Sequence, residues 1–249
     1  MPSAIFRIWR GDSRGGRLED YETTVSEGMV VLDAVIQIQA ERAGDLALRW
    51  NCKAGRCGSC SAEVNGVPRL MCMTRLDQLP LDRPVTVEPL RAFPPIKDLA
   101  TDLSWNFRVK RAIKRFNPRP PDHPDGTWRM EQKDIDRVQE FRKCIECFLC
   151  QDVCHVLRDH HKHEEFLGPR FFVHVAALEM HPLDTEDRRG ELKTAGGIGY
   201  CNITKCCTKV CPEEIAITDN AIIPLKERVA DEFYDPLRAL VRRLRLRPR

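Results

Sequence analysis

The first part of the chain alternates apolar and polar residues, whereas the later part repeats its apolar residues at helical spacing. Residues 4–10 have the two-residue period of a half-buried strand, and residues 17–25 form a weaker strand candidate. Between Val31 and Ile38 the apolar residues share one helical face. Further strands are predicted at 61–69 and 85–89. These elements indicate a small mixed sheet with one helix packed across it.

A proline-rich linker is predicted at residues 89–95, and the apolar pattern after it is helical. The first helical stripe is formed by Ile96, Leu99, Leu103 and Phe107. Helices are also predicted within 135–145, 171–180 and 218–231, and Pro224 is expected to kink the last or begin a new one. The pattern therefore predicts an α+β protein with two domains, residues 1–95 and 96–249.

Composition and charge restrict the class of protein. The 249 residues include 40 Lys and Arg against 37 Asp and Glu, so the net charge of +3 is too small for a general nucleic-acid or membrane binder. A hydrophobic content of 42% is typical of a folded chain. No apolar run approaches the ~18 residues of a membrane span. The N-terminus resembles neither a secretory signal nor an import sequence, so we expect the protein to act where it is made.

Twelve cysteines form three compact groups, and such groups in a reducing compartment are more typical of metal ligands than of disulfides. The first group has the plant-type spacing of a [2Fe-2S] cluster. Gly55 and Gly58 let its loop approach a cluster and direct N–H groups at sulfur. The alternatives are buried free thiols or a zinc site, which the four-residue gap disfavours. The predicted ligands are Cys52, Cys57, Cys60 and Cys72.

The second group has the bacterial ferredoxin spacing, in which the fourth cysteine binds the other cluster of a pair. The third group repeats this frame as far as Pro212, with Thr204 in place of the second ligand. If the last cysteine of each group binds the cluster of the other group, a [4Fe-4S] cluster receives four ligands, namely Cys144, Cys147, Cys150 and Cys211. Three thiolates suit a [3Fe-4S] cluster, and these are Cys154, Cys201 and Cys207.

Cys206 remains outside this frame. It is predicted to be a small buried side chain beside the third cluster. The alternative makes Cys206 a ligand of a second [4Fe-4S] cluster, which we disfavour because adjacent residues rarely direct both side chains at one cluster corner. Three clusters predict serial one-electron transfer. Since the sequence has no Ser/His/Asp set, phosphate loop or dinucleotide fingerprint, no catalytic residue is predicted.

The order of these motifs resembles the iron–sulfur subunit of succinate dehydrogenase and fumarate reductase over essentially the whole chain. The resemblance implies an N-terminal β-grasp plant-type ferredoxin domain followed by an all-helical, bacterial-ferredoxin-like domain. It also implies a flavoprotein (FAD) partner and a membrane anchor with a quinone site near the [3Fe-4S] cluster. The chain departs from the family at His155, where Pro is usual, at Asn202, where His is usual, and in lacking a Trp shortly after Cys154. The family's quinone residues therefore do not carry over.

The expected function is the electron-transfer subunit of succinate dehydrogenase, peripheral to the cytoplasmic face of a bacterial membrane. One alternative is the same subunit in a fumarate reductase running in reverse, which the sequence does not separate. Another is a ferredoxin-like carrier for a soluble oxidoreductase, although such carriers are usually small, acidic and single-domain.

Two further features have open interpretations. Histidines beside Cys154 are either surface residues or a proton relay or polar wall for a quinone, and they are His155, His160, His161 and His163. After Pro236 the chain has six Arg and no acidic residue. A basic amphipathic helix is predicted there from Leu237, Leu240, Val241 and Leu244. This Arg-rich tail is either a solvated end or a contact with anionic lipid or the anchor.

Overall fold

A computed structural model describes residues 2–236 and places a mixed sheet in the N-terminal part. In that part of the chain the strands are β1 Ser3–Asp12, β2 Gly15–Thr24, β3 Ser61–Val64, β4 Val67–Leu70, β5 Val85–Glu88, β6 Pro95–Lys97 and β7 Ala100–Thr101. Their order is β4-β3-β5-β1-β6-β7, with β2 paired to β1. The β1–β5 pair is parallel, and β1 is antiparallel to β2 and β6.

One helix, α1 Val31–Glu41, packs its apolar face on this sheet. Its buried side chains join a core with Phe6 and Ile8 of β1 and Val87 of β5. The alternation predicted for the strands and the helical face predicted from Val31 are thus observed. The hairpin between β3 and β4 turns at Asn65-Gly66, where φ is 50° and 74°. Both values are left-handed, as a two-residue hairpin turn of this kind requires.

The segment 95–101 corrects one prediction, because Ile96 and Leu99 do not belong to a helix. This segment forms the β6–β7 hairpin, and the next helix begins only at Ser104. The physical reason is Asp98, whose carboxylate accepts hydrogen bonds from the backbone N–H groups of Gly11 at 3.0 Å and Ala47 at 2.8 Å. These bonds hold the segment at the sheet edge and override its helical spacing.

The rest of the described chain is helical, which gives an α+β layout. Its helices are α2 Ser104–Ala112, α3 Gln132–Gln139, α4 Leu149–Asp152, α5 His155–Arg158, α6 Pro169–Glu179, α7 Arg189–Lys193, α8 Cys206–Lys209 and α9 Ile223–Phe233. A π-helix, Ile217–Ile222, leads into α9, where Pro224 lies in the first turn as a helix-starting proline does. Short 3₁₀ segments are Met71–Met73, Leu76–Gln78, Glu140–Lys143 and Ile198–Tyr200.

The sheet and the helices share one apolar core. The expected linker takes part in it, since Leu90, Ala92 and Phe93 are buried. Among the helices of residues 2–236, none combines the length and apolar character of a membrane span. The tail helix predicted from Leu237, Leu240, Val241 and Leu244 lies outside the described residues.

Candidate metal centres

The first cysteine group gathers where the loop after α1 meets β3 and the 3₁₀ segment Met71–Met73. Backbone N–H groups point at sulfur in this loop. Ala54 and Arg56 donate to Sγ of Cys52 at 3.4 and 3.2 Å, and Cys52 donates to Sγ of Cys57 at 3.5 Å. The N–H of Met71 donates to the carbonyl of Cys60 at 3.0 Å and so brings Cys72 beside it. The structure therefore brings all four predicted residues of this group together.

The protonation of these thiols depends on burial. Burial raises the pKa of Cys60 to about 12. At Cys57 burial also acts to raise the pKa, but hydrogen bonds from Ser59 and Cys52 outweigh it and lower the pKa to about 6. One end of the group is thus dry, whereas the other is polar and near the surface, with Cys52 exposed.

The second group converges on one enclosed cavity, which is lined by Cys144, Cys147, Cys150 and the remote Cys211. Apolar side chains cover it, among them Phe148. Burial raises the pKa of Cys147 to about 12 and that of Cys150 well above its ordinary value. Unbound thiols here stay protonated, and metal binding would have to displace those protons.

The third group lies beside the second and gathers four thiols, the three predicted ligands and Cys206. Burial, with smaller contributions from the charges of Cys206 and Cys201, raises the pKa of Cys154 to about 12. Sγ of Cys206 lies 3.3 Å from Oγ1 of Thr204, and Sγ of Cys207 lies 3.5 Å from Oγ1 of Thr218. Cys206 is half-buried.

The backbones of the second and third groups repeat each other. Glu146 and Phe148 have φ of 56° and 61°, and Ile203 and Lys205 have φ of 63° and 61°. Left-handed φ is uncommon outside glycine, so its recurrence at the same two positions marks a shared frame. In that frame Thr204 occupies the position of Cys147, and Cys206 that of Leu149, which is a core residue.

The first and second groups touch directly. The hydroxyl oxygen of Ser61 lies 2.9 Å from the carbonyl oxygens of both Gly58 and Cys147, so its one hydrogen is shared between them. Gly58 packs against the backbone of Cys147 with no side chain between them. The three groups therefore form a continuous series, because α4, which carries Cys150, also packs against α8, which carries Cys207.

The histidine-rich stretch divides into two kinds of residue. His163 is structural, since its Nε2 lies 2.8 Å from the carbonyl of Ala92 and its ring meets Trp105 edge-on at 4.8 Å. His160 and His161 are exposed. His155 is half-buried, and its ring lies 6.1 Å from that of His160.

Sequence reasoning missed Lys226, which belongs to α9. Its Nζ donates to the carbonyl of Cys201 at 2.5 Å and to that of Ile198 at 3.3 Å. The lysine thereby fixes the loop that carries one predicted ligand. No spacing rule connects a lysine to a cysteine this far away in the sequence.

The donor sets fit iron–sulfur clusters. Within residues 2–236, no three His, Cys, Asp or Glu side chains are grouped to hold a single metal ion. A cluster instead places several inorganic atoms between its thiolates. The cavity enclosed by four cysteines and the N–H groups directed at Cys52 are features of cluster sites.

Two family models match the chain. Residues 5–108 match the 2Fe-2S iron-sulfur cluster binding domain, and residues 140–215 match the 4Fe-4S dicluster domain. The first match contains the four cysteines of the first group, and the second contains the other eight.

Named relatives agree with these matches. The chain is 34% identical over 203 residues to a fumarate reductase iron-sulfur subunit of Mycobacterium tuberculosis, which covers 78% of this chain and 79% of the relative. It is 28% identical over 216 residues to a succinate dehydrogenase iron-sulfur subunit of Bacillus subtilis, covering 80% and 81%. Some archaeal relatives are longer, and the chain spans 42–45% of their length.

A solved structure is similar to the whole fold. It is a chain of the Mycobacterium smegmatis Sdh1 complex in the apo form, with a TM-score of 0.90 and 59% sequence identity. The match covers 94% of this chain and 98% of that one.

Proposed function

The chain belongs to the family of iron–sulfur subunits of succinate dehydrogenase and fumarate reductase, and it is therefore an electron-transfer subunit of an oxidoreductase complex. We propose that it passes electrons one at a time from a succinate-oxidising flavoprotein to a membrane quinone. The observation that carries this proposal is the continuous series of three cysteine groups. Gly58 meets Cys147 where the first group adjoins the second, and α4, with Cys150, packs against α8, with Cys207, where the second adjoins the third.

The cofactors of this family are one [2Fe-2S], one [4Fe-4S] and one [3Fe-4S] cluster. We propose that the [2Fe-2S] cluster is held by Cys52, Cys57, Cys60 and Cys72. The proposed [4Fe-4S] ligands are those that line one cavity, namely Cys144, Cys147, Cys150 and Cys211. The proposed [3Fe-4S] ligands are Cys154, Cys201 and Cys207. The repeated backbone frame supports this division, because it puts Thr204 where the second group has Cys147.

When bound, such clusters accept and release one electron at a time. The chain's own residues set the order of the sites and their surroundings. Phe148 and Val173 keep water from the second cavity, and N–H groups at Cys52 stabilise thiolate charge in the first site. Burial of Cys150 in the second site and Cys154 in the third keeps the region between these two sites dry.

We also propose the finer form of the fold. The mixed sheet crossed by α1 is taken as a β-grasp plant-type ferredoxin domain, and the helices as a bacterial-ferredoxin-like domain. The position of β6 and β7 supports a boundary after Thr101 rather than at residue 95.

The two ends of the series are proposed to face different partners. Cys52 is exposed beside Trp50, so the flavoprotein, which contains FAD, is placed at this end. Tyr200 and Ile203 are exposed near the third group, so the membrane anchor with its quinone site is placed there. The subunit would then lie peripherally on the cytoplasmic face of a bacterial membrane.

The likeness to a chain of an Sdh1 complex supports succinate oxidation over fumarate reduction. Redox-titrated EPR of the purified complex tests the proposal. We expect three separate signals, including an oxidised three-iron signal, and reduction of all three by succinate. Fewer than three signals, or purification without a flavoprotein and a membrane protein, would refute it.

A further inference from the structure

A buried ion cluster joins the sheet to the helices. Glu63 of β3 is 0% exposed, and its carboxylate lies between two guanidinium groups. Nε of Arg91, which follows β5, is 3.2 Å from Oε2, and Nη2 of Arg158, at the end of α5, is 3.1 Å from Oε1. Each of the three residues comes from a different segment of the chain.

This ion cluster lies against the turn that carries two proposed ligands. The N–H of Arg158 donates to the carbonyl of Cys154 at 2.8 Å. Asp152 stands between Cys150 and Cys154, and its carboxylate accepts from the N–H of Ala92 at 2.9 Å. Ala92 is the residue next to Arg91, so this hydrogen bond holds the segment of Arg91 beside the ligand-bearing turn. The ion cluster is therefore joined to the ligand-bearing turn through both arginine segments, and the backbone of Arg158 is one helical turn from that of Cys154.

Charge at this position changes the reduction potential of a nearby electron acceptor. Buried charges interact more strongly than exposed ones, because little water screens them. A positive charge near an electron acceptor favours its reduction, and a negative charge opposes it. Packing alone does not explain the arrangement, since apolar residues of similar size usually serve as well as a buried ion pair.

We propose that Glu63 sets the charge beside the electron path: its carboxylate offsets Arg91 and Arg158 and so holds down the reduction potentials of the sites built on Cys150 and Cys154. This inference rests on the proposed function. Burial raises the pKa of Glu63, whereas the two arginines act against that rise and favour the carboxylate. The residue touches no proposed ligand and acts through its neighbours.

The test measures cluster potentials by redox-titrated EPR in membranes that hold the assembled complex. Glu63→Gln keeps the size of the side chain but removes the carboxylate that lies between the two guanidinium groups. Arg91 then keeps its ion pair with the partly exposed Glu88, at 3.0 Å, but the positive charge of the ion cluster is less well offset, so the [4Fe-4S] potential is expected to rise. Arg158→Gln removes a positive charge, so the potential is expected to fall. In the double variant the two shifts should largely cancel. If Glu63 and Arg158 had only a structural role, the two single variants would not shift the reduction potential in opposite directions.

A matched control is Asp98→Asn. Asp98 is also a buried carboxylate, 2% exposed and paired with Arg10 at 3.1 Å, but it lies at the sheet edge beside β6. The Asp98→Asn variant should leave the reduction potentials of the clusters unchanged. If Arg158→Gln lacks clusters, Arg91→Gln takes its place, because Arg91 is 48% exposed and tolerates change better. Shifts of the same sign, no shift for Glu63→Gln, or an equal shift for Asp98→Asn would overturn the inference. Loss of the wild-type signals would instead refute the proposed function.

Discussion

A β-carbon built on Gly58 would lie 2.7 Å from the α-carbon of Cys147 and 2.9 Å from its β-carbon. Real β-carbons do not approach other atoms so closely, so the two backbones meet as nearly as glycine permits. Gly58 also has φ of 67°, which L side chains adopt at a cost. Both requirements select glycine at the point where the first cysteine group meets the second.

Gly58→Ala is therefore expected to weaken the contact between the two groups. Left-handed backbone costs an alanine about 1 kcal/mol, and the collision adds about 1–3 kcal/mol. We expect a loss of about 2–4 kcal/mol in the free energy of unfolding and a weaker [4Fe-4S] EPR signal. Gly66→Ala is the control, because Gly66 has φ of 74° but nothing within 4 Å of an added β-carbon. Equal losses in the two variants would contradict the collision.

Thr204→Cys is expected to convert the third site toward a four-iron cluster. The repeated backbone frame puts Thr204 in the position of Cys147, so a thiol there completes a set of four. The oxidised three-iron EPR signal should fall, and quinone reduction by succinate should slow. An unchanged three-iron signal would show that the frame is misaligned. In contrast, Cys206→Ser should leave all three clusters in place, as expected of the residue equivalent to Leu149.

His174 of α6 should make the protein sensitive to acid. Burial, together with the nearby charge of Arg170, lowers its pKa to about 4. Because the folded pKa lies below the unfolded value of about 6.5, the stability from neutral His174 is present above that pH and is lost as the pH falls through 4. Solvent screening limits the effect to about 1–2 kcal/mol.

His174→Gln removes this titration. The difference in melting temperature between pH 7.5 and pH 4.5 should shrink in the variant relative to the wild-type complex. Equal differences in both proteins would exclude His174 as the source of acid sensitivity.

Truncation after Pro236 tests the Arg-rich tail. Each basic residue near an anionic surface contributes about 1 kcal/mol, and salt screens that attraction. The truncated chain should keep all three clusters, because every proposed ligand precedes Pro212, and it should leave membranes at lower salt. Detachment of both chains at the same salt concentration would mean that the tail is only a solvated end.

The cysteine groups could be predicted from the sequence because cluster ligands follow short-range spacing rules. The frame that pairs Thr204 with Cys147 needed only counting along the chain, and the backbone reproduces it at Phe148 and Lys205. The strands were accessible for a similar reason, since β1 has one buried face and β3–β4 turns at an Asn-Gly pair.

The remaining features depend on contacts between distant residues. Ile96 and Leu99 have helical spacing, yet hydrogen bonds to Asp98 from Gly11 and Ala47 hold them in a hairpin. Nothing local marks Glu63 as buried, because its partners Arg91 and Arg158 come from segments that meet only in the folded chain. Polar residues that make such long-range contacts show no regular spacing along the sequence, so no pattern predicts them.

The shared cavity of Cys144, Cys147, Cys150 and Cys211 has a consequence for biosynthesis. With the proposed ligands, the first site has its last thiol at Cys72, so it can be completed while the ribosome is still making the helices. The other two sites take ligands from distant segments. The [3Fe-4S] site is complete only when Cys207 has emerged, and the [4Fe-4S] site only when Cys211 has emerged. The thiols at Cys144 to Cys154 must therefore stay reduced and unligated while the segment up to Cys207 and Cys211 is being made. Because their last ligands, Cys207 and Cys211, are close in the sequence, both sites become able to hold a cluster at nearly the same point of synthesis, well after the first site.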